Sequence, residues 1–399
     1  MVAFFVDFVA VGFFFYSYGV FFKAIAGEFG DSRLGVALGL TVTSAVGAVV
    51  APLVGRALDR YPLRRIIGLG ATSMALGFLG LSFVRSPLEF YLVLGLFIGF
   101  GASSMGNLAT SKLVTNWFER HRGKALGIAA TGVSFSGVVM PYVSAEIIDA
   151  YGWRNGFLAY GFFTFFVVVP VVLRFVVSRP EDVGLRPDGA LQLADRSTQP
   201  PPPPRLSMRE VARERNFWAI VAIFSLIFCC MSATLTHMVP RLTDQGHSLS
   251  VASLVMSLCA GLGVLGKLSF GWLGDRFSLR RVMLLIVAVQ FAGQFIMFQA
   301  LTLGWFALGA ALFGFGVGGV VPMHGIVVGR TFGRERFGAV LGLMRPAMFP
   351  VQIVGVPFAG WIFDTTGSYA LAFQVFLGLY VLTAVILATY RPPRTLVTR

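Results

Sequence analysis

SLSVASLVMSLCAGLGVLGKLSFGWLGDRFSLRR, residues 248–281, decides how the chain is to be read. A long apolar run carries one ammonium, Lys267, and ends in a charged turn made of Gly271, Asp275, Arg276, Arg280 and Arg281. The same turn stands 216 residues earlier as GRALDRYPLRR, with Gly55, Asp59, Arg60, Arg64 and Arg65. One chain thus holds two copies of a charged turn between hydrophobic segments, and only the second copy has a lysine on its approach.

Composition sets the solvent. Of 399 residues 56% are hydrophobic and 13% charged, with mean hydropathy +0.78, whereas a soluble domain has roughly 25% charged residues. That leaves too little polar surface for a water-soluble body. The composition describes a polytopic helical membrane protein, each span needing about 20 apolar residues. The net charge of +14 would point to nucleic acid in a soluble protein. Here it collects in one set of loops, and no basic face interleaved with aromatics occurs in a polar segment, so no nucleic-acid partner is expected. Cys229, Cys230 and Cys259 lie inside apolar runs at no metal-ligand spacing, which argues against disulfides and zinc. The first run starts without a cationic leader or a small-residue cleavage site, and reads as a retained helix.

Hydrophobic runs fall at 2–27, 33–55, 66–84, 87–115, 124–148 and 154–177. Six more follow at 216–240, 248–274, 281–301, 303–330, 337–363 and 368–390. The expected architecture is therefore all-α, with twelve transmembrane helices in two pseudo-symmetric six-helix bundles, residues 1–178 and 216–399. The linker, 179–215, contains the polyproline run Pro200–Pro204, which suits a semi-rigid spacer. The loops after runs 2, 4, 8 and 10, the linker and the C-terminus hold 24 of the 32 Lys and Arg. The opposite side holds five (Lys23, Arg33, Arg85, Arg154, Arg241), and Lys112, Lys267 and Arg345 fall within helices. The positive-inside rule then puts both termini and the linker in the cytoplasm of a bacterial-type inner (plasma) membrane. The halves also match at WFERHRGKALGI (117–128) and TFGRERFGAVLGL (331–343), and at AEIIDAYG (145–152) and GWIFDTTG (360–367). Such duplication is the mark of an alternating-access transporter whose site lies between the repeats.

These residues resemble the major facilitator superfamily, whose loop between helices 2 and 3 and its repeat between 8 and 9 look like the two Asp-Arg turns. GVFFKAIAGEFG (19–30), NWFERHRGKALGIAATGVSFSG (116–137) and LGKLSFGWLGDR (265–276) are similar to the monocarboxylate-transporter branch and its oxalate/formate relatives. The resemblance spans the whole chain. It implies that Lys267 stands where the branch has a carboxylate-binding arginine, that Gly263 replaces an aspartate one turn earlier, and that Tyr16 replaces the first-helix lysine of animal members.

The residues themselves nominate a site. Lys267 lies about eight residues, roughly 12 Å, from the cytoplasmic end of its helix. A charge there costs at least ~2.5–3.5 kcal/mol, so it should face a cavity and have a partner. A tertiary pair with a distant acid is the plain alternative. Arg345 sits at similar depth before Pro346 and Pro350, which should kink the helix and free carbonyls. Its fork suits a carboxylate, although it could instead bond those carbonyls. Two such cations and few deep acids point to a small organic anion, mono- or dicarboxylate. Tyr16, Tyr18, Asn107, His237 and His324 could complete the pocket, each otherwise serving as an interhelical hydrogen bond. Asp7 and His237 are the proton-coupling candidates. Asp59, Arg60, Arg64 and Arg65, with Asp275, Arg276, Arg280 and Arg281, should latch the cytoplasmic side through helix ends.

GFGVGG (314–319) satisfies a nucleotide-loop pattern but sits inside an apolar run, so it reads as a helix contact. No Walker motif, metal cluster or catalytic triad spacing is present; neither enzyme activity nor a cofactor is expected. The reading is a secondary transporter of small organic anions, exchanging anions or moving them with protons, and functional as a monomer. The alternatives are a proton-coupled exporter of hydrophobic compounds and a non-transporting membrane receptor or scaffold.

Overall fold

The computed structural model describes residues 1–18, 21, 25, 33–189 and 208–390. Lys23, the polyproline run, the C-terminal arginines and the side chain of Tyr16 lie outside the described residues. Twelve helices follow in chain order: α1 (Val2–Val11, continued by a π turn Gly12–Tyr16), α2 (Arg33–Arg60), α3 (Leu63–Leu81), α4 (Pro87–Trp117), α5 (122–151), α6 (153–175), α7 (Arg215–Asp244), α8 (Leu249–Arg276), α9 (Leu279–Gln299), α10 (Leu303–Phe332), α11 (Phe337–Thr366) and α12 (Ala370–Thr389). There is no strand among the described residues. Among the described residues, ten helices are long and apolar enough to cross a membrane. The two others are α1, short within the described residues, and α3, which carries Arg64 and Arg65 in its first turn.

Local chemistry sets the ends. Ser86, Ser248 and Thr302 each cap a following helix by accepting a backbone N–H of its first turn, and Pro87 occupies the first position of α4. Gly152, with φ 79° and ψ 161°, makes the turn between α5 and α6, a backbone state a side chain would oppose. Arginines tie helix ends together on the side opposite the charged turns. Arg154 donates to the Val84 carbonyl just past α3 (2.7 Å), and Arg241 to Met297 at the end of α9 (3.0 Å). Both meet the carbonyl-rich, electronegative end of a helix.

Contacts divide the chain into two units. One holds Met1–Arg120, Ile128–Arg205 and Arg334–Pro346; the other holds His121–Gly127, Leu206–Gly333 and Ala347–Arg399. The first few residues of α5 thus group with the later helices, and the first turns of α11 with the earlier ones.

Within the first unit, α4 is not one regular helix. It runs through a π turn, Leu94–Gly99, and is interrupted at Gly106 (φ −77°, ψ −156°) before resuming as Asn107–Trp117. In the second unit, α8 and α10 cross on glycine. A Cβ at Gly314 would lie 2.0 Å from the Cys259 carbonyl, and one at Gly318 2.0 Å from that of Gly263. The glycine-rich run 314–319 is therefore a helix-packing face, as expected. α11 stays helical through Pro346 and Pro350, although these residues remove the donors that would serve the carbonyls of Gly342 and Pro346.

Candidate functional site

Each charged turn is built the same way. In the first unit the carboxylate of Asp59, at the end of α2, accepts from the backbone N–H of Gly338 (3.0 Å) and Ala339 (2.7 Å) in the first turn of α11. In the second, Asp275, at the end of α8, accepts from Gly123 (2.6 Å) and Lys124 (2.9 Å) in the first turn of α5. A carboxylate there satisfies orphan donors and meets the positive end of the helix dipole. The glycine one turn earlier allows the approach. A Cβ at Gly55 would sit 2.1 Å from the Gly338 carbonyl, and one at Gly271 2.4 Å from that of Gly123. The spacing Gly-x-x-x-Asp therefore encodes one clasp: a gap for a neighbouring backbone, and a cap for its helix.

The two clasps differ in what holds the aspartate. Lys112 of α4 pairs with Asp59 at 2.8 Å, the lysine side chain being 2% exposed and the aspartate 11%. Lys112 also donates to the Arg334 carbonyl. In the second clasp Arg330 donates to the backbone carbonyl of Asp275 at 3.4 Å. Arg60, Arg64 and Arg280 are exposed and enter no ion pair among the described residues. Arg276 lies over the Trp272 ring at 4.3 Å.

A strap of the first unit closes over these helix ends. The Ser178 hydroxyl accepts from Leu63 N–H, the carbonyls of Ser178 and Val177 accept from Asn116 and Trp117, and Asp188 accepts from Arg120 N–H. Glu181 pairs with Arg334 (2.6 Å) and Arg179 with Glu335 (3.2 Å).

The candidate cations occupy the next turns of the same crossings. A Cβ at Gly127 of α5 would lie 2.7 Å from the Lys267 carbonyl, and one at Gly342 of α11 2.3 Å from the Ala51 carbonyl. Lys267 and Ala51 are 216 residues apart and play the same packing role. Lys267 belongs to the second unit and is half-buried. Arg345, one turn beyond Gly342, belongs to the first; its side chain is exposed and has no hydrogen bond or ion pair among the described residues. Each unit thus carries one of the two nominated cations.

The remaining candidates scatter. His237 of α7 bonds the Val356 carbonyl of α11 at 3.0 Å, and its ring lies 5.2 Å from Tyr369. His324 of α10 packs 4.3 Å from Phe224. Asn107 is the half-buried first residue after the break in α4. Tyr18 is buried against Phe14 (5.3 Å). Asp7 is 1% exposed and accepts from the Thr110 hydroxyl at 2.8 Å. No cluster of three metal-ligating side chains occurs among the described residues.

A chain of apolar helices with paired aspartate clasps is a polytopic membrane protein of duplicated plan. The Major Facilitator Superfamily model matches residues 4–270 and 238–398, and the chain belongs to that superfamily. It has the twelve-helix fold of a membrane transporter and is not an enzyme. It is 25% identical over 376 residues to Monocarboxylate transporter 12-B of Danio rerio, covering 89% of this chain and 78% of that one. It is 25% identical over 389 residues to the Uncharacterized MFS-type transporter YcxA of Bacillus subtilis (strain 168), covering 93% and 89%. Its fold is similar to the crystal structure of the human organic anion transporter MFSD10 (TETRAN), with TM-score 0.70, 15% identity and 97% of each chain covered. The resemblance to the monocarboxylate-transporter branch read from the sequence is thus shared by its curated relatives.

Proposed function

We propose that the protein is a secondary transporter of small organic anions, mono- or dicarboxylates, working by alternating access of two six-helix bundles, residues 1–178 and 216–399. Arg345 is the observation that carries this reading. An exposed guanidinium with no protein partner among the described residues, eight residues into a membrane-spanning helix, would be costly against lipid. An aqueous pathway is the environment that tolerates it, and an anion is the ligand its fork suits. Lys267, at comparable depth on α8, supplies the second positive charge. Asp59, the clasp carboxylate of the same unit, does not cancel Arg345, because Lys112 holds it. The names of the curated relatives support carboxylates as the substrate class. Asn107, His324 and His237 are the proposed polar lining, and the Asp59 and Asp275 clasps the cytoplasmic gate. The proposed setting is a bacterial-type plasma membrane with both termini cytoplasmic, and the proposed working state is a monomer.

Counterflow in proteoliposomes, with lactate, formate, oxalate, malonate and succinate, tests the reading. Trans-stimulated uptake that is lost in both Lys267→Gln and Arg345→Gln supports it. Flux of hydrophobic cations in place of carboxylates, or none at all, overturns it.

A further inference from the structure

We propose that the second unit binds an anionic phospholipid at the charged-turn end of its helices, with one acyl tail in a cleft and the phosphate on Arg280. The proposal needs the membrane setting of the superfamily and does not depend on which anion is carried. The cleft opens between α7, α9, α10 and α12 and encloses about 240 Å³, counted out to its mouth. Phe224, Met283, Val327 and Leu387, none more than 3% exposed, form its walls together with Tyr390. The Tyr390 hydroxyl bonds that of Thr331 at 2.8 Å, so the polar tip of the ring is already engaged. Arg280 is the one charged residue of the lining. It is exposed and enters no ion pair among the described residues.

Size and position choose the occupant. A pocket that takes a whole small molecule holds about 300–1,000 Å³. This one is smaller and apolar, so it admits part of a molecule whose remainder stays outside. It also lies where the spans end: Met283 is in the second turn of α9 and Leu387 in the last turn of α12. A phospholipid has its tail on one side of that boundary and its charge on the other. An arginine there lays its stem along apolar surface and keeps its fork among the headgroups, where it matches a phosphate with two parallel bonds. Arg281 is exposed beside it. Ser278 gives α9 no side-chain cap, so the positive end of that helix adds to the same field. Such a field favours phosphatidylglycerol over zwitterionic phosphatidylcholine. A free phosphate would meet the arginine but gain nothing from the cleft, where a tail finds van der Waals contact.

The test uses full-length protein in nonionic detergent, given a phosphatidylglycerol whose acyl tail ends in a photoreactive diazirine. After irradiation the label should concentrate on the peptides that contain Met283 and Leu387. The same tail on phosphatidylcholine should label them several-fold less. Arg280→Gln should lower labelling by phosphatidylglycerol about fivefold, the worth of one basic residue at a membrane surface, and Arg280→Lys should restore most of it. Val327→Phe, which fills the cleft, should lower labelling by either lipid, and excess inorganic phosphate should displace neither. Equal labelling by the two lipids, unchanged labelling in Arg280→Gln, or label confined to other peptides overturns the proposal. Displacement by inorganic phosphate overturns it in favour of a free-anion site. If Val327→Phe does not fold, the position of the label in the native protein decides where the tail lies.

Discussion

At the scale of the residue, the charges that matter are those that left water. Lys112 and Asp59 form a pair that is almost wholly enclosed. Removing one partner of such a pair costs about 3–5 kcal/mol, because the other stays buried and uncompensated. Lys112→Met should therefore lower the thermal unfolding midpoint sharply in detergent, and Asp59→Asn combined with Lys112→Met should recover much of the loss. Additive losses in that cycle would mean the pair is not coupled. Arg345 is expected to behave differently. Arg345→Lys keeps the charge but not the planar fork, so stability should hold while the KM for a carboxylate rises. Equal KM values would remove the fork from substrate recognition. The sequence singled out Lys112, Lys267 and Arg345 as charges within helices, but nothing along the chain paired Lys112 with Asp59. They are 53 positions apart, and a contact between helices leaves no local period to read.

The element to consider is the helix crossing. Gly55 and Gly338, and Gly271 and Gly123, meet with no room for a methyl group. Gly55→Ala and Gly271→Ala should each force a helix off its clasp, costing about 1–3 kcal/mol by overpacking, seen as a lower unfolding midpoint and slower transport. Gly261→Ala is the comparison: nothing lies within 4 Å of its Cβ position, and exchanging glycine for alanine in a helix is otherwise favourable by about 1 kcal/mol. A neutral Gly55→Ala would refute the close crossing. Helices as a class were plain in the hydropathy, and so was the role of 314–319. The break at Gly106 was not. Gly106 is one of several glycines in an apolar run, and mean hydropathy is indifferent to whether backbone hydrogen bonds continue through it. The part of the strap over 179–189 was likewise read only as polar linker, since its order comes from partners in other elements.

For the whole molecule, the asymmetry of lysine and arginine gives the strongest statement, and the duplicated plan the next. With 24 of 32 basic residues in one set of loops, a reporter enzyme fused at the C-terminus is predicted to be active only on the cytoplasmic side. Activity on the opposite side would invert the topology. Duplication was legible from an offset of 216 residues between the turns; the departure from strict repetition was legible too, in a lysine at 267 where the first copy has Ala51. What each copy does with its aspartate emerged only in three dimensions, and that difference has a practical use. The chain has four lysines, Lys23, Lys112, Lys124 and Lys267. At 2% exposure, Lys112 is out of reach of acylating reagents for as long as Asp59 keeps it, whereas Lys124 is open to them. The ratio of labelling at these two amines, followed by mass spectrometry as substrate is added, makes the first clasp a chemical clock for the opening of the protein it fastens.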